Sequence, residues 1–201
     1  MKQLSILLSV IAVLFICSCG SNVQKPKKTD SRLKDSIHLA ESIRVADSLK
    51  KVQSLGSWKV KFYVDDFGEP TKQKYLTCRV CFGTFSNSAT TDSDLAVQFL
   101  IEKNAVNIQL YEYLGTNPVK KGIEDQYKVR VKSGDEIQDL TARNYSDRLS
   151  FNEINSKKII DFFKKGQPLK FAIISNSRYS ESSYKFTFED VSGFANAYAE
   201  L

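Results

Sequence analysis

The chain has 201 residues, with 29 Lys and Arg against 23 Asp and Glu, a formal charge of +6. At 42% hydrophobic and 26% charged it reads as globular rather than disordered, long enough for one domain and a tail. One His and one Met argue against His-dependent catalysis and His-rich metal sites, while the basic balance invites a nucleic-acid or membrane reading.

Residues 1–19 read as a processing signal. Lys2 is a short positive n-region, and residues 4–16 form an uncharged stretch of 13, interrupted only by Ser5 and Ser9. That suits a secretory signal, whereas a membrane-spanning helix needs about 20 apolar residues. Ile16-Cys17-Ser18-Cys19 resembles the bacterial lipobox, with an aliphatic residue, two small residues and then the acylated cysteine. The resemblance implies a signal peptide over 1–18 and lipidation of Cys19. The chemistry needs a thiol for the thioether and small neighbours for the peptidase groove. It also implies a membrane partner, a lipid anchor and a place in the cell envelope. Gly20 stands where Asp would direct inner-membrane retention, which points to the outer membrane.

Residues 19–29 are polar and Lys-rich and read as a lipidated flexible tether. Residues 30–57 follow as a helical spacer with a six-residue near-repeat: Asp35-Ser36-Ile37, Glu41-Ser42-Ile43 and Asp47-Ser48-Leu49 open its units. Acid and base fall three apart in Glu41 and Arg44 and in Asp47 and Lys50, a spacing at which helical side chains meet. Ile37, Ala40, Ile43, Ala46, Leu49, Val52 and Leu55 recur every three residues. Against a helical turn of 3.6 residues that pattern drifts by about 60° per step and makes no fixed stripe. The segment is therefore expected to be exposed, reaching about 36 Å if about 24 residues are helical. His38, the sole histidine, reads as a solvated helix residue. Asp35-Ser36-Ile37 and Asp47-Ser48-Leu49 look like the Asp-Ser/Thr-aliphatic acceptor of Bacteroidota-type O-glycosylation, which nominates Ser36 and Ser48.

From Trp58 the composition changes: 12 of the 13 Phe and all nine Tyr lie beyond it. Period-two alternation predicts strands around Trp58, Val60, Phe62 and Val64, and through Leu76, Cys78, Val80 and Phe82 on one face. Further strands follow at Val97–Phe99–Ile101, Val106–Ile108–Leu110 and Tyr127–Val129–Val131. Residues 137–142 are a weaker candidate, and Leu169–Phe171–Ile173 and Tyr184–Phe186–Phe188 complete the set. Residues 65–70, 86–94, 115–118 and 133–135 have turn chemistry, and 176–183 form a polar connection. Ser156 is expected to cap a helix running to about residue 165, with Ile159, Phe162 and Phe163 inward and Gly166 and Pro168 ending it. Residues 192–201 suggest a short closing helix. The fold class is mainly β, an antiparallel β-sandwich or distorted barrel over 58–201 with one or two short helices. Its 144 residues can bury about 68% of their unfolded surface, enough for an independent core.

Three stretches, WKVKFYVDDFGEPTKQKY, GTFSNSATTDSDL and SGFANAYAEL, resemble uncharacterised Bacteroidota-type envelope lipoproteins. More loosely, the order of Trp strand, β core, short helix and final Phe-x-Phe strand is similar to the invasion-associated locus B and type VI secretion accessory β-sandwich families, without their cysteines. These likenesses imply a fold rather than an activity.

Catalytic chemistry is hard to place. The domain has no His to serve a Ser or Cys nucleophile, and it lacks a Walker A loop, a dinucleotide fingerprint and a His-Glu-x-x-His. No catalytic residue, metal ligand or cofactor is nominated. Cys78 and Cys81 sit in a strand-like run, where their Cα atoms would be about 10 Å apart on opposite faces, too far for a disulfide. Asp65, Asp66, Asp92 and Asp94 read as solvated loop acids. Arg143, Asn144, Tyr145, Asp147 and Arg148 form a polar cluster that fits a binding patch or a salt-bridged turn. Tyr111 and Tyr113 beside Glu112 fit a recognition face or the outside of a sheet.

The expected function is a non-enzymatic binding or assembly module on an envelope lipoprotein, with a protein or glycan partner. A competing expectation is an envelope-polymer hydrolase using Asp/Glu pairs about 5–9 Å apart. A third is a structural role centred on the spacer. Residues 20–57 hold eight basic and four acidic side chains, and residues 58–201 hold 20 and 19. The basic balance thus belongs to the tether and spacer, beside anionic headgroups, and nucleic acid drops out as an expected partner.

Overall fold

The structure, a computed structural model, describes residues 29–119, 126–176 and 181–201. Residues 1–18, Cys19, the tether up to residue 28 and the middle of the 176–183 connection lie outside them. The described residues divide into two units, one ending at Ile43 and the other spanning Arg44–Leu201.

Helix α1 spans Thr29–Ser54. Residues 38–54 are exposed throughout, and Leu39, Ile43, Val45, Leu49 and Val52 are each more than half exposed. Period-three spacing explains this, because no face gathers enough apolar surface to bury. Asp47 and Lys50 do not close into the pair their spacing suggests. Instead Lys51 reaches Glu200 at 3.0 Å. The last turn of α1 is part of the second unit, in which the Asn196 amide donates to the Ser54 carbonyl at 3.0 Å and Leu55 packs on the core. Gly56 (φ +57°) and Gly193 (φ +75°) allow the backbones to meet there. A Cβ on Gly193 would lie 2.2 Å from the Leu55 carbonyl carbon, and one on Gly56 would lie 2.3 Å from the Ser192 oxygen. Only residues without a Cβ fit both the contact and the dihedrals.

Ten strands follow: β1 Lys59–Val64, β2 Pro70–Thr77, β3 Cys81–Ser86, β4 Ser93–Ile101, β5 Val106–Glu112, β6 Gln126–Ser133, β7 Glu136–Tyr145, β8 Arg148–Phe151, β9 Leu169–Asn176 and β10 Glu181–Phe188. Helix α2, Glu153–Lys164, separates β8 from β9, and α3, Phe194–Tyr198, closes the chain. Every pairing is antiparallel. The order β4-β3-β10-β9-β6-β7-β8-β5 returns to β4, so eight strands close into a barrel. The sandwich-or-barrel expectation resolves as the barrel, in which no core strand keeps an open edge.

The β1–β2 hairpin continues this sheet through a short ladder of two pairs, Leu76↔Ile101 and Thr77↔Leu100. This attachment explains two departures from the expected strands. β2 and β3 share one edge of β4: β2 takes residues 100–101 and β3 takes 93–97. The chain must turn a corner between them, so the run from Leu76 to Phe82 splits at residues 78–80. Leu76 is fully buried while Phe82 is 66% exposed. β1 pairs with β2 alone, which leaves Phe62 and Val64 exposed rather than in a core.

The interior is filled by aromatic rings. Phe171 and Phe186 are cross-strand partners stacked at 4.9 Å. Phe99 packs against both and against Phe188. Phe163 from α2 meets the rings of Trp58, Phe99, Phe188 and Phe194, so α2 and α3 close one end of the core. The cap of α2 differs from expectation. Asn152 is the N-cap, accepting from the Asn155 N–H at 2.8 Å. Ser156 lies within the helix and is fully buried, its hydroxyl accepting from the Val106 N–H at 3.0 Å and donating to the Phe151 carbonyl at 3.2 Å. A hydroxyl one turn inside the helix thus satisfies backbone groups at the ends of β5 and β8.

Candidate functional site

The sequence Tyr127-Lys128-Val129-Arg130-Val131-Lys132 alternates apolar with basic residues, and in β6 alternate side chains point to opposite faces. Tyr127, Val129 and Val131 are buried, and Lys128, Arg130 and Lys132 are exposed on the outside. Register carries the pattern to neighbouring strands. Lys132 is the direct partner of Lys170 on β9, and Lys170 is the partner of Thr187 on β10. In the next outward row Arg130 faces Ala172, and Ala172 faces Lys185. In the third, Lys128 faces Ile174. Neighbouring strands lie about 4.8 Å apart and alternate residues about 6.6 Å apart, so these long side chains stand around the small Ala172.

Two hollows result, of about 490 and 620 Å³, and both include Arg130 and Ala172 in their walls. Their linings hold five cations, Lys128, Arg130, Lys132, Lys170 and Lys185, against two acids, Asp139 and Glu189. Phe82 and Ile137 stand at opposite margins, and Ala172 and Ile174 form an apolar floor. Thr84, Thr141 and Thr187 add hydroxyls. Asn155 in the first turn of α2 borders the first hollow, tied to the Thr141 carbonyl at 3.0 Å.

The charges are unevenly satisfied. Arg130 grips Asp139 with two bonds, Nε to Oδ1 at 2.7 Å and a terminal nitrogen to Oδ2 at 3.2 Å. That hydrogen bonding holds the Asp139 carboxyl below the usual range. Among the described residues, Lys128, Lys132, Lys170 and Lys185 have no acidic partner. Lys132 opposite Lys170 is an unfavourable like-charge pair in the ladder. An anion seated over Ala172 would relieve that repulsion. The surface is chemically suited to binding a negatively charged ligand with hydroxyls or an apolar face.

This groove is absent from the expected sites, although one signal pointed to it: three bases at alternate positions of a predicted strand. The near-zero domain charge concealed it. The nominated residues lie elsewhere. Cys19 is outside the described residues. Ser36 and Ser48 are in α1, with Ser48 exposed. The Asp65 carboxylate accepts from the backbone N–H groups of Phe67 and Glu69, both at 2.9 Å, and shapes the β1–β2 turn. Asp92 is in a positive-φ turn (φ +52°) and Asp94 is in β4. The cluster from Arg143 to Arg148 is the β7–β8 hairpin, where Arg148 pairs with Asp147 at 2.7 Å and Gln109 donates to Asp147 at 2.6 Å.

Glu112 is separated from its flanking tyrosines: it accepts from the Tyr184 hydroxyl at 3.0 Å, and burial raises its carboxyl above the ordinary range. Cys78 lies at the corner after β2, and Cys81 begins β3, so the two are not in one strand as the sequence suggested. Burial pushes the Cys78 thiol up to about 11 and the Cys81 thiol to about 12. Both are free thiols. Among the described residues, no group of three His, Cys, Asp or Glu side chains is placed to hold a metal ion, and no helix is long and apolar enough to cross a membrane.

No family model matches the chain, and no curated protein or solved structure matches it either.

Proposed function

We propose that this chain is a lipid-anchored envelope lipoprotein of the outer membrane whose barrel is a non-enzymatic binding module, with the cationic groove as its binding face. The groove is the observation that carries the reading. It gathers five cations around one alanine and leaves four of them without an acidic partner among the described residues. A surface that repels itself and is hollowed at its centre suits a partner better than solvent. In this reading Cys19 holds the anchor, and several acyl chains make the attachment stable, at about 0.8 kcal/mol per buried CH₂. α1 is the spacer, and its exposed Ser48 is accessible for O-glycosylation.

Two measurements test the reading. A photo-crosslinking residue at Thr187 captures a partner in intact native cells, and the same residue at Asp66, in the β1–β2 turn, does not. Equal or absent capture at both positions overturns the binding face. The Cys19→Ala variant shifts to the soluble fraction or accumulates with its signal uncleaved. Membrane partitioning like that of the parent overturns the lipid anchor.

A further inference from the structure

We infer that the groove binds an acidic polysaccharide, one whose sugar units carry carboxylate or other anionic groups; this rests on the groove being the binding face. The first argument is what the face cannot do. β10 is hydrogen-bonded to β3 and β9, β9 to β10 and β6, and β6 to β9 and β7. The three strands under the groove therefore offer no free edge. An extended peptide gains most of its affinity from main-chain bonds to such an edge, so an acidic peptide strand loses that mode here.

Single-stranded nucleic acid needs successive aromatic platforms for its bases. The lining has one well-exposed aromatic, Phe82, at the margin. What remains is recognition by side chains. Ammonium groups attract anionic substituents, threonine hydroxyls accept and donate to sugar hydroxyls, and Phe82 and Ala172 offer apolar surface to a sugar ring.

The dimensions agree. From Phe82 on β3 to Ile137 on β7 the face crosses five strands, a span of about 19 Å, which suits an oligosaccharide stretch rather than one sugar. The cations are spread along that span rather than converging on one point. Lys185 and Arg130 flank Ala172, and Lys170 and Lys132 lie in the adjoining row. A chain with repeated charges satisfies them in turn, whereas a single small anion satisfies one or two.

The test uses the full chain in detergent, with polygalacturonate as probe and neutral dextran as control. Polygalacturonate binds, dextran does not, and affinity falls as salt rises. The double variant Lys132→Thr with Lys170→Thr weakens binding at least tenfold. The charge-matched pair Lys59→Thr with Lys61→Thr on β1 changes it less than twofold. Ala172→Glu, which puts a carboxylate in the centre of the groove, abolishes binding while thermal unfolding shows the barrel intact. Failure to bind polygalacturonate, equal losses in the two double variants, or tighter binding of poly-L-glutamate or a single-stranded oligonucleotide overturns the polysaccharide assignment. Capture at Thr187 that persists alongside any of these results leaves the groove as the binding face and removes only its acidic-sugar ligand.

Discussion

The inner and outer faces of β6, β9 and β10 are built from alternate residues of the same strands, yet they answer to different constraints. Inside, Val129, Val131, Phe171, Ile173, Phe186 and Phe188 are all at least 95% buried, and ring stacking fills the barrel. Outside, Lys128, Lys132, Lys170 and Lys185 share a face without acidic partners among the described residues. The inner face is explained by packing alone. The outer face is not, because cross-strand pairing of Lys132 with Lys170 costs stability. Burial therefore accounts for the fold, and the unresolved charge is where function is to be sought.

The sharpest way to break this contrast is to remove a ring from the inside. Phe163 is 1% exposed and touches Trp58, Phe99, Phe188 and Phe194. Phe163→Ala leaves a cavity where α2 meets the barrel, and the expected loss is about 3–5 kcal/mol in urea unfolding. A loss below about 1 kcal/mol, within the range of surface substitutions and small repacking, would mean that α2 is not integral to the core.

Much of the inner face was legible in the sequence because alternation is local. Tyr127, Val129 and Val131 marked β6, and Ile159, Phe162 and Phe163 marked the buried side of α2. Closure was not legible. It depends on pairings such as Ile108↔Leu149 and Phe186↔Gly83, which no local pattern specifies. The corner at residues 78–80 was hidden for a related reason: Leu76, Cys78, Val80 and Phe82 alternate well, but β4 has to serve both β2 and β3 along one edge. Ser156 read as a cap because serine often is one, whereas its hydroxyl is consumed by Val106 and Phe151.

The cationic groove failed to show for the same cause as closure. Lys132 and Lys170 are distant in sequence and become neighbours only through the β6–β9 register. A charge sum over the domain averages such a face away against acids placed elsewhere.

The two thiols at the β2–β3 corner sharpen the comparison chemically. Cys78 is 6% exposed, and Cys81 approaches the Val97 carbonyl at 3.5 Å. Burial disfavours the thiolate in both, raising Cys78 to about 11 and Cys81 to about 12. At pH 8 native Cys78 should react with a disulfide reagent roughly 100-fold more slowly than in urea, and native Cys81 roughly 1000-fold more slowly, since reactivity follows the thiolate fraction. Because the folded values lie above the unfolded value, their contribution to stability is complete below about pH 9 and is lost as pH rises towards 12. Rapid native labelling, or a reversible internal disulfide, would show that the corner is open and give the pair a redox role.

The smallest expected effect tests the outer face most directly. Lys170→Thr removes one member of the like-charge pair and leaves a residue that favours strands. If repulsion dominates that position, the variant is more stable than the parent by about 0.2–1 kcal/mol at low ionic strength. The gain shrinks in 1 M salt, where the screening length falls to about 3 Å. Thermal unfolding at the two salt concentrations measures both terms, with about 2–4 °C expected per kcal/mol for a domain of this size. A loss of stability, unchanged by salt, would instead mean that the lysine stem packs along the strands and is structural. The salt dependence decides the matter, because packing is blind to screening and repulsion is not. A salt-sensitive gain identifies the lysines as charge held at the expense of stability, which a barrel built only to fold would have no reason to keep.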